Sequence, residues 1–150
     1  MKKSLNLAQK TIEEFLSVIG IKDPFELSES EEGFDVVLDT QESGIIIGRH
    51  GDNLEAIQLV LSLILTKKLG EFKRVSFEVG DYKKNRSDFL SNLAEETKER
   101  VISEGKEVII PNLKPWERRL VHLALQDDNK VVSESAGEGK DRVLIVRPKN

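Results

Sequence analysis

The spacing of apolar and polar residues predicts an alternation of helices and strands. Apolar side chains that recur every three or four residues mark one face of a helix, and apolar side chains at every second residue mark one face of a strand. In residues 1–80 this pattern gives, in order, a helix at 4–19, strands at 24–27 and 33–39, a short helical turn at 43–47, a helix running through 69 and a strand at 74–79. Gly20 and Gly70 end the two long helices. The predicted order is α-β-β-α-α-β.

The predicted helix that runs through Leu69 is apolar nearly all round in its middle. Its large apolar residues are Leu54, Ile57, Leu59, Val60, Leu61, Leu63, Ile64 and Leu65. A helix with apolar side chains on every face is normally buried, so we expect this one to be the core helix of its domain. Asp52 and Asn53 stand at its start, and both are residue types that cap helix N-termini.

Residues 81–150 predict a second small domain. The segment 81–87 is polar and charged and contains neither Gly nor Pro, so the predicted join is short or helical rather than a flexible tether. The pattern beyond it gives, in order, a helix at 88–104, a strand at 107–110, a helix from 115 to about 126, and strands at 131–135 and 142–146. This order is α-β-α-β-β. The sequence therefore predicts an α+β protein with domains at 1–80 and 81–150.

Composition narrows the class of protein. The 150 residues are 38% hydrophobic and 33% charged, as in folded soluble proteins, which argues against disorder throughout the chain. There is no cysteine, which excludes disulfides, thiolate metal sites and a thiol nucleophile. The longest apolar run, 59–65, is too short to span a bilayer. We therefore expect a soluble, cytoplasmic protein.

The distribution of charge limits how the chain can bind nucleic acid. The net charge of −4 argues against a uniformly basic binder. Residues 1–80 carry nine Lys and Arg against fourteen Asp and Glu, whereas residues 81–150 carry fourteen against thirteen. Any surface that holds phosphates must therefore be local and built from a few cations, and we expect its affinity to be modest.

A short cationic loop, Gly48-Arg49-His50-Gly51, precedes the long apolar helix. Glycine gives the backbone freedom and allows another backbone to come close. Backbone N–H groups at the start of a helix favour an anion, and Arg49 adds a permanent charge. Two glycines three apart also occur in plain helix–helix turns, so the spacing alone leaves both interpretations open.

The order of elements around this loop resembles a KH domain of the bacterial, type II arrangement. In KH domains the loop between the second and third helices clamps about four nucleotides of single-stranded nucleic acid. By this resemblance the RNA-binding residues here are Ile47, Gly48, Arg49, His50 and Gly51. KH domains also have an apolar groove beside the loop that receives the bases. The resemblance implies that its wall consists of Ile46, Ile47, Leu54 and Ile57.

A second cationic motif lies in the segment Pro115-Trp-Glu-Arg-Arg-Leu-Val-His122. On a helix, Arg118 and His122 share one face and Arg119 lies nearby, so three donors could meet consecutive phosphates. The same pair could instead fix the helix against the strands. With its flanking residues the segment resembles the R-three-H domain, whose members bind single-stranded nucleic acids. By this resemblance the RNA-binding residues are Lys114, Arg118, Arg119 and His122.

Trp116 also has two interpretations that the sequence leaves open. It is the only tryptophan of the chain, and it lies at the start of a predicted helix beside the cationic motif. An aromatic ring in this place can stack on a base, as in many single-strand binders, or it can belong to the core.

A KH domain followed directly by an R-three-H domain is similar to the Jag-type (SpoIIIJ-associated, KhpB or EloR) family of bacterial RNA-binding proteins. The resemblance covers nearly the whole chain, although nothing in it corresponds to the small N-terminal domain that the family usually carries. It implies binding of single-stranded RNA, with single-stranded DNA left open, in post-transcriptional regulation linked to the cell envelope and elongation. Its implied protein partner is a small KH-domain protein or a second copy. The alternative is a non-catalytic adaptor between proteins.

Catalysis finds little support in the sequence. It contains no phosphate-binding P-loop motif, no cysteine nucleophile and no histidine spacing typical of a metal site. Its two histidines, His50 and His122, fall in different predicted domains. We therefore expect neither a cofactor, a metal nor an enzymatic activity.

Overall fold

A computed structural model describes residues 2–150 and shows two compact units. The first ends at Lys83 and the second runs from Lys84 to Asn150. The elements of the first unit are helix α1 (Lys2–Val18), strands β1 (Phe25–Glu29) and β2 (Gly33–Leu38), helices α2 (Ser43–Ile47) and α3 (Asp52–Leu69), and strand β3 (Arg74–Val79). Helix α4 (Tyr82–Glu104) begins with the last two residues of the first unit and continues into the second. The other elements of the second unit are β4 (Val108–Ile110), α5 (Pro115–Leu125), β5 (Val131–Ala136) and β6 (Val143–Pro148). Both predicted orders, and the α+β class, are confirmed.

The first unit is a three-stranded sheet covered on one face by helices. The strand order is β1-β2-β3, with β1 antiparallel and β3 parallel to the central β2. Alternate residues of β2 and β3 point to the helices and are buried together with residues of α1 and α3. The largest of these core side chains are Phe34, Phe77, Ile12, Leu16, Leu61 and Leu65. Burying each stabilises the fold by about 1.5–3 kcal/mol.

The prediction that α3 is the core helix of its domain holds for one face of the helix only. Leu61 and Leu65 lie in the core, but Leu59 is 60%, Val60 41% and Leu63 61% exposed. The reason is that α3 covers one side of a three-stranded sheet, so its outer face has no element of its own unit to pack against. Despite this apolar face, neither α3 nor another helix within residues 2–150 has the length and apolarity needed to cross a membrane.

A third face of α3 is polar and lies along the free edge of β3. The residues on this face, spaced four apart, are Gln58, Ser62 and Thr66. Each accepts a hydrogen bond from a backbone N–H: Gln58 Oε1 from Phe77 at 2.8 Å, Ser62 Oγ from Val75 at 2.8 Å and Thr66 Oγ1 from Lys73 at 3.0 Å. Main-chain donors at the edge of the sheet are thus satisfied by helix side chains.

The second unit is an antiparallel sheet with two helices on one face. Its strand order is β4-β6-β5, so the last strand in the sequence is the central one. The core consists of the inward residues of the sheet and one side of α4 and α5, mainly Leu90, Ala94, Val101, Val121, Leu125, Leu144 and Val146. Helix α4 begins at Tyr82 rather than at the predicted residue 88, because the charged segment before it is itself helical.

Candidate nucleic-acid interface

The Gly48–Gly51 loop is a tight turn that exposes the side chains of Arg49 and His50. It connects α2 to α3 through a single 3-10 turn, Arg49–Gly51. Three of its four residues have a positive φ: Gly48 at 69°, His50 at 52° and Gly51 at 81°. For His50, which has a Cβ, this backbone conformation costs about 1 kcal/mol. Arg49 and His50 are both exposed. The loop therefore presents them to solvent in a backbone conformation that is unfavourable for His50.

Both glycines of the loop are required by what packs against them. Gly48 has φ 69° and ψ −167°, a region that only glycine occupies readily. A Cβ there would lie 2.5 Å from Cγ of Asn53, and a Cβ on Gly51 would lie 2.7 Å from the Tyr82 hydroxyl oxygen. Asn53 therefore packs against Gly48, and Tyr82 packs against Gly51. On the outer side of the loop, Gly48 presents only its backbone.

The start of α3 differs from the prediction. The N-cap position is Gly51, in a left-handed conformation, and no side chain caps the helix there. The expectation that Asp52 or Asn53 is the N-cap is therefore wrong. Asn53 instead donates a hydrogen bond from Nδ2 to the carbonyl oxygen of Ile45, at 2.9 Å. Asp52 and Glu55 place two carboxylates in the first turn, which lowers the positive potential at this helix end.

The residues expected to form the apolar groove are mostly part of the core. Ile46 and Leu54 are buried, while Ile47 and Ile57 are half-buried and pack against the same core. The exposed apolar residue beside the loop is Ile45, which is 59% exposed. Three isoleucines in a row offer no pattern that tells which one faces solvent. A contact of Ile47 with RNA stays a prediction.

At the start of α5 a buried carboxylate organises the backbone and a basic side chain. Glu117 is fully buried. Its Oε2 accepts a hydrogen bond from the backbone N–H of Lys114 at 3.0 Å, and its Oε1 accepts one from Arg86 Nε at 2.7 Å. Lys114 occupies the N-cap position and Pro115 the first helical position. Sequence reasoning missed Glu117, although a Glu three residues after the N-cap is a known capping signal.

Arg118 braces the turn that leads into α5. Its side chain belongs to a residue only 9% exposed, and its Nη1 donates to the carbonyl oxygen of Leu113 at 2.7 Å. Its Nε is buried without a hydrogen-bond partner among residues 2–150. The sequence leaves two roles open for Arg118, and its contacts in the structure are those of a residue that fixes the helix. A direct phosphate contact by Arg118 stays a prediction.

Arg119 and His122 lie on the accessible side of α5. Both residues are exposed, and their spacing of three places them side by side on the helix. The Nδ1 of His122 lies 2.8 Å from Oγ of Ser133 on β5, which fixes the orientation of the ring. Lys114 is half-buried and Trp116 is 43% exposed, so the tryptophan is not a core residue. Of the four binding residues predicted in this unit, Arg119 and His122 are therefore exposed, Lys114 is half-buried and Arg118 is buried.

Acidic side chains do not assemble into a metal site in the part of the chain that the structure describes. Residues 2–150 contain no group of three or more His, Asp or Glu side chains placed to hold a metal ion. The clearest electrostatic feature is instead a pair in the second unit, where Lys98 Nζ lies 2.6 Å from Asp128 Oδ2. The hydrogen bond from Lys98 lowers the pKa of Asp128, and the same bond raises the pKa of Lys98.

Two family models match the chain, one for each unit. The model described as the KH domain of KhpA/KhpB matches residues 9–79, and the model of the R-three-H domain matches residues 88–148. The first unit is therefore similar to the KH domains of KhpA/KhpB, and the second unit is similar to R-three-H domains.

The chain is similar over most of its length to bacterial proteins named RNA-binding protein KhpB. It is 33% identical to the one from Clostridium symbiosum over 121 residues, 81% of this chain and 54% of that protein. It is 32% identical to the one from Lactiplantibacillus plantarum over 108 residues (72% and 34%) and 26% identical to the one from Bacillus subtilis over 111 residues (73% and 53%). The chain thus spans about half, or less, of the length of the curated relatives it matches. The resemblance to the Jag-type family is confirmed.

Proposed function

We propose that this protein binds single-stranded RNA without catalysing a reaction. Its relatives are named RNA-binding proteins, and its two units are similar to KH and R-three-H domains. The observation that carries the proposal is the geometry of the Gly48–Gly51 loop, whose positive-φ backbone exposes Arg49 and His50 between its two glycines. Such a turn suits a sugar–phosphate backbone, because it offers positive charge and close approach together.

At the loop, each group has a distinct part in the proposed contact. Asn53 fills the space that a Cβ of Gly48 would occupy, so we infer that a phosphate approaches the main chain of Gly48 from the opposite, outer side of the loop. Arg49 supplies the permanent charge, and His50 lies next to it on the exposed side. The carboxylates of Asp52 and Glu55 in the next turn oppose an anion, so this surface attracts phosphate only where the Arg49 side chain reaches it. The affinity of the loop alone is therefore modest.

In the R-three-H unit we propose that Arg119, His122 and Lys114 contact a further stretch of the backbone. Their side chains are accessible or half-buried, whereas Arg118 supports them by fixing the turn before α5. Contacts to phosphate and sugar carry little sequence information, so we expect weak base preference. The 2′-hydroxyl is the group that would distinguish RNA from single-stranded DNA.

The physiological setting follows from the family resemblance. We infer a cytoplasmic protein that regulates RNAs after transcription, in the control of the cell envelope and elongation. A readout of this setting is the set of transcripts that crosslink to the protein in cells, which would be enriched in envelope genes.

The proposed function is tested by reversing charge in the loop. Arg49→Asp combined with His50→Asp should abolish binding of a labelled single-stranded RNA, because two side chains next to the phosphate become repulsive. Both residues are exposed, so the thermal unfolding midpoint should change little. Lys2→Asp with Lys3→Asp, on exposed positions of α1, is the matched control. Unchanged RNA affinity in the loop variant would refute the role of the loop.

A second candidate function, an adaptor between proteins, is favoured by the outer face of α3. Four exposed residues spaced four apart form one ridge along this face, which we call the α3 ridge: Glu55, Leu59, Leu63 and Lys67. The ridge is acidic at one end, apolar in the middle and basic at the other. In an antiparallel pair of two copies, Leu59 would face Leu63 and Glu55 would face Lys67, so charge and apolar surface match at once. We propose a second copy of this chain as the occupant.

A further inference from the structure

The end of α2 leaves carbonyl groups that the helix cannot satisfy by itself, and the carbonyl of Ile45 is one of them. In a longer helix the carbonyl of Ile45 would accept a hydrogen bond from the N–H four residues ahead. Here the chain turns away at Gly48, whose own N–H closes the last turn on Gly44 at 2.9 Å. The Nδ2 of Asn53, on the other side of the loop, donates to the Ile45 carbonyl instead.

The same side chain packs directly against the first glycine of the loop. A Cβ built on Gly48 would lie 2.5 Å from Cγ, 2.7 Å from Nδ2 and 2.8 Å from Cβ of Asn53. Asn53 therefore fills the space beside Gly48 while its amide ties the end of α2 to the start of α3. Asn53 is itself exposed, so this contact is not part of the core.

We propose that Asn53 is a positioning residue for RNA binding, a role that rests on the proposed function of the loop. The loop contains His50 in a costly left-handed conformation and two positive-φ glycines, so it needs contacts that select this conformation from the others open to it. The Asn53 amide closes residues 45–53 into a ring and keeps Arg49 on the outer side. RNA then binds a loop that is already ordered, and the entropic cost of ordering it on binding is reduced.

The first test measures RNA affinity in the full chain. We expect Asn53→Ala to weaken binding of a labelled single-stranded RNA of mixed sequence by about fivefold, the effect of one net hydrogen bond. The salt dependence of binding should stay unchanged, since no phosphate contact is removed, whereas Arg49→Ala should reduce its slope by about 0.7. The unfolding midpoint should change little. Asn6→Ala, at an exposed position of α1, is the matched control.

The second test needs no RNA. Backbone amide relaxation of the free protein should show faster motion at residues 48–51 in both Asn53→Ala and Asn53→Asp, with the rest of the domain unchanged. The Asp variant keeps the shape of the side chain but removes the N–H donor at neutral pH. A loop that stays as ordered in Asn53→Asp as in the unmodified protein would show that shape alone suffices, and would overturn the role of the hydrogen bond.

The outcomes separate this inference from the proposed function. If Asn53→Ala binds RNA with unchanged affinity while the Arg49→Asp/His50→Asp variant does not bind, the positioning role is overturned and the proposed function stands. If the charge-reversed loop also binds normally, the proposed function fails and the positioning role fails with it. Weaker binding with an unchanged salt slope and an unchanged unfolding midpoint supports both.

Discussion

The turn after α5 is held by one carboxylate with several donors. Asp128 Oδ1 accepts hydrogen bonds from the backbone N–H groups of Lys130, at 2.7 Å, and Val131, at 3.1 Å. Its Oδ2 pairs with Lys98 on α4. The side chain therefore joins α4, the turn and the start of β5, which is the strand that holds Ser133 against His122.

This arrangement predicts a pH-dependent contribution to stability. Because the pKa of Asp128 is lowered in the folded state, its contribution is present above the unfolded value of about 3.8–3.9 and is lost as the pH falls through the folded pKa. The raised pKa of Lys98 gives a contribution present below its unfolded value and lost as the pH rises through the folded pKa.

We expect Asp128→Asn to lower the urea unfolding midpoint of the second unit at neutral pH. The difference from the unmodified protein should shrink below about pH 3.8, where the carboxyl group becomes protonated in the unfolded and then the folded chain. Fluorescence of Trp116, the only tryptophan, reports this unit. Asp127→Asn, at the exposed neighbouring position, is the control. An equal destabilisation at all pH values would contradict the predicted linkage.

The residues of α5 show which structural roles cannot be predicted from the sequence. The four-residue spacing of Arg118 and His122 was visible, and it correctly places both on one helix. The burial of Arg118 and Glu117 is not visible in the sequence. In the structure Arg118 donates to the carbonyl of Leu113, and Glu117 accepts from Arg86, 31 positions earlier. The pairing of Glu117 with Arg86 joins distant segments and leaves no local pattern. The sequence therefore identified the motif but not which of its cations faces solvent.

At the scale of elements, periodicity predicted the order of helices and strands in both domains. Alternation in 33–39 and 74–79 corresponds to β2 and β3, whose buried and exposed residues alternate in the same phase. Periodicity failed for α3 because it counts apolar residues without knowing what surrounds them. Leu59 and Leu63 look like core residues in the sequence and are exposed only because nothing in their own unit covers them.

The α3 ridge predicts self-association that one substitution removes. Leu63→Glu should convert a dimer to a monomer in light scattering, because a charge would be buried at the centre of the apolar contact. Leu63 is 61% exposed in the single chain. The unfolding midpoint of the Leu63→Glu monomer should therefore differ little from that of the unmodified monomer. Val18→Glu, at an exposed position of α1, is the control.

The pairing of Glu55 with Lys67, at the two ends of the α3 ridge, distinguishes the proposed antiparallel dimer from other apolar contacts. Glu55→Lys should weaken the dimer, and Glu55→Lys combined with Lys67→Glu should restore it, since the charges then match again. A chain that is monomeric at all concentrations, or a dimer that Leu63→Glu leaves intact, would rule out the ridge as the interface.

At the scale of the whole molecule, an acidic chain is proposed to bind an acidic polymer. The net charge is −4, so attraction depends on a few placed cations rather than on the overall field. We predict about four to six neutralised phosphates over the two domains, which gives a slope of log K against log salt of about −3 to −4. Fluorescence anisotropy over a salt series measures it.

A neutral-backbone analogue provides the control for this prediction. A peptide nucleic acid with the bases of the RNA probe carries no phosphates, so it should bind weakly and without salt dependence. Binding of the RNA that does not respond to salt would contradict a backbone-directed interaction and favour contacts to the bases.

The polar stripe of α3 has a consequence for how the first domain meets other chains. A strand with unpaired main-chain groups at a sheet edge can recruit a peptide as an additional strand, or begin the stacking that leads to fibrils. Gln58, Ser62 and Thr66 already accept from the backbone N–H groups of Phe77, Val75 and Lys73, so an added strand would find these donors occupied. The opposite edge, β1, is short and carries Glu26 and Glu29, which oppose growth by charge. The domain can therefore remain at high concentration beside other β-rich chains without joining its sheet to theirs.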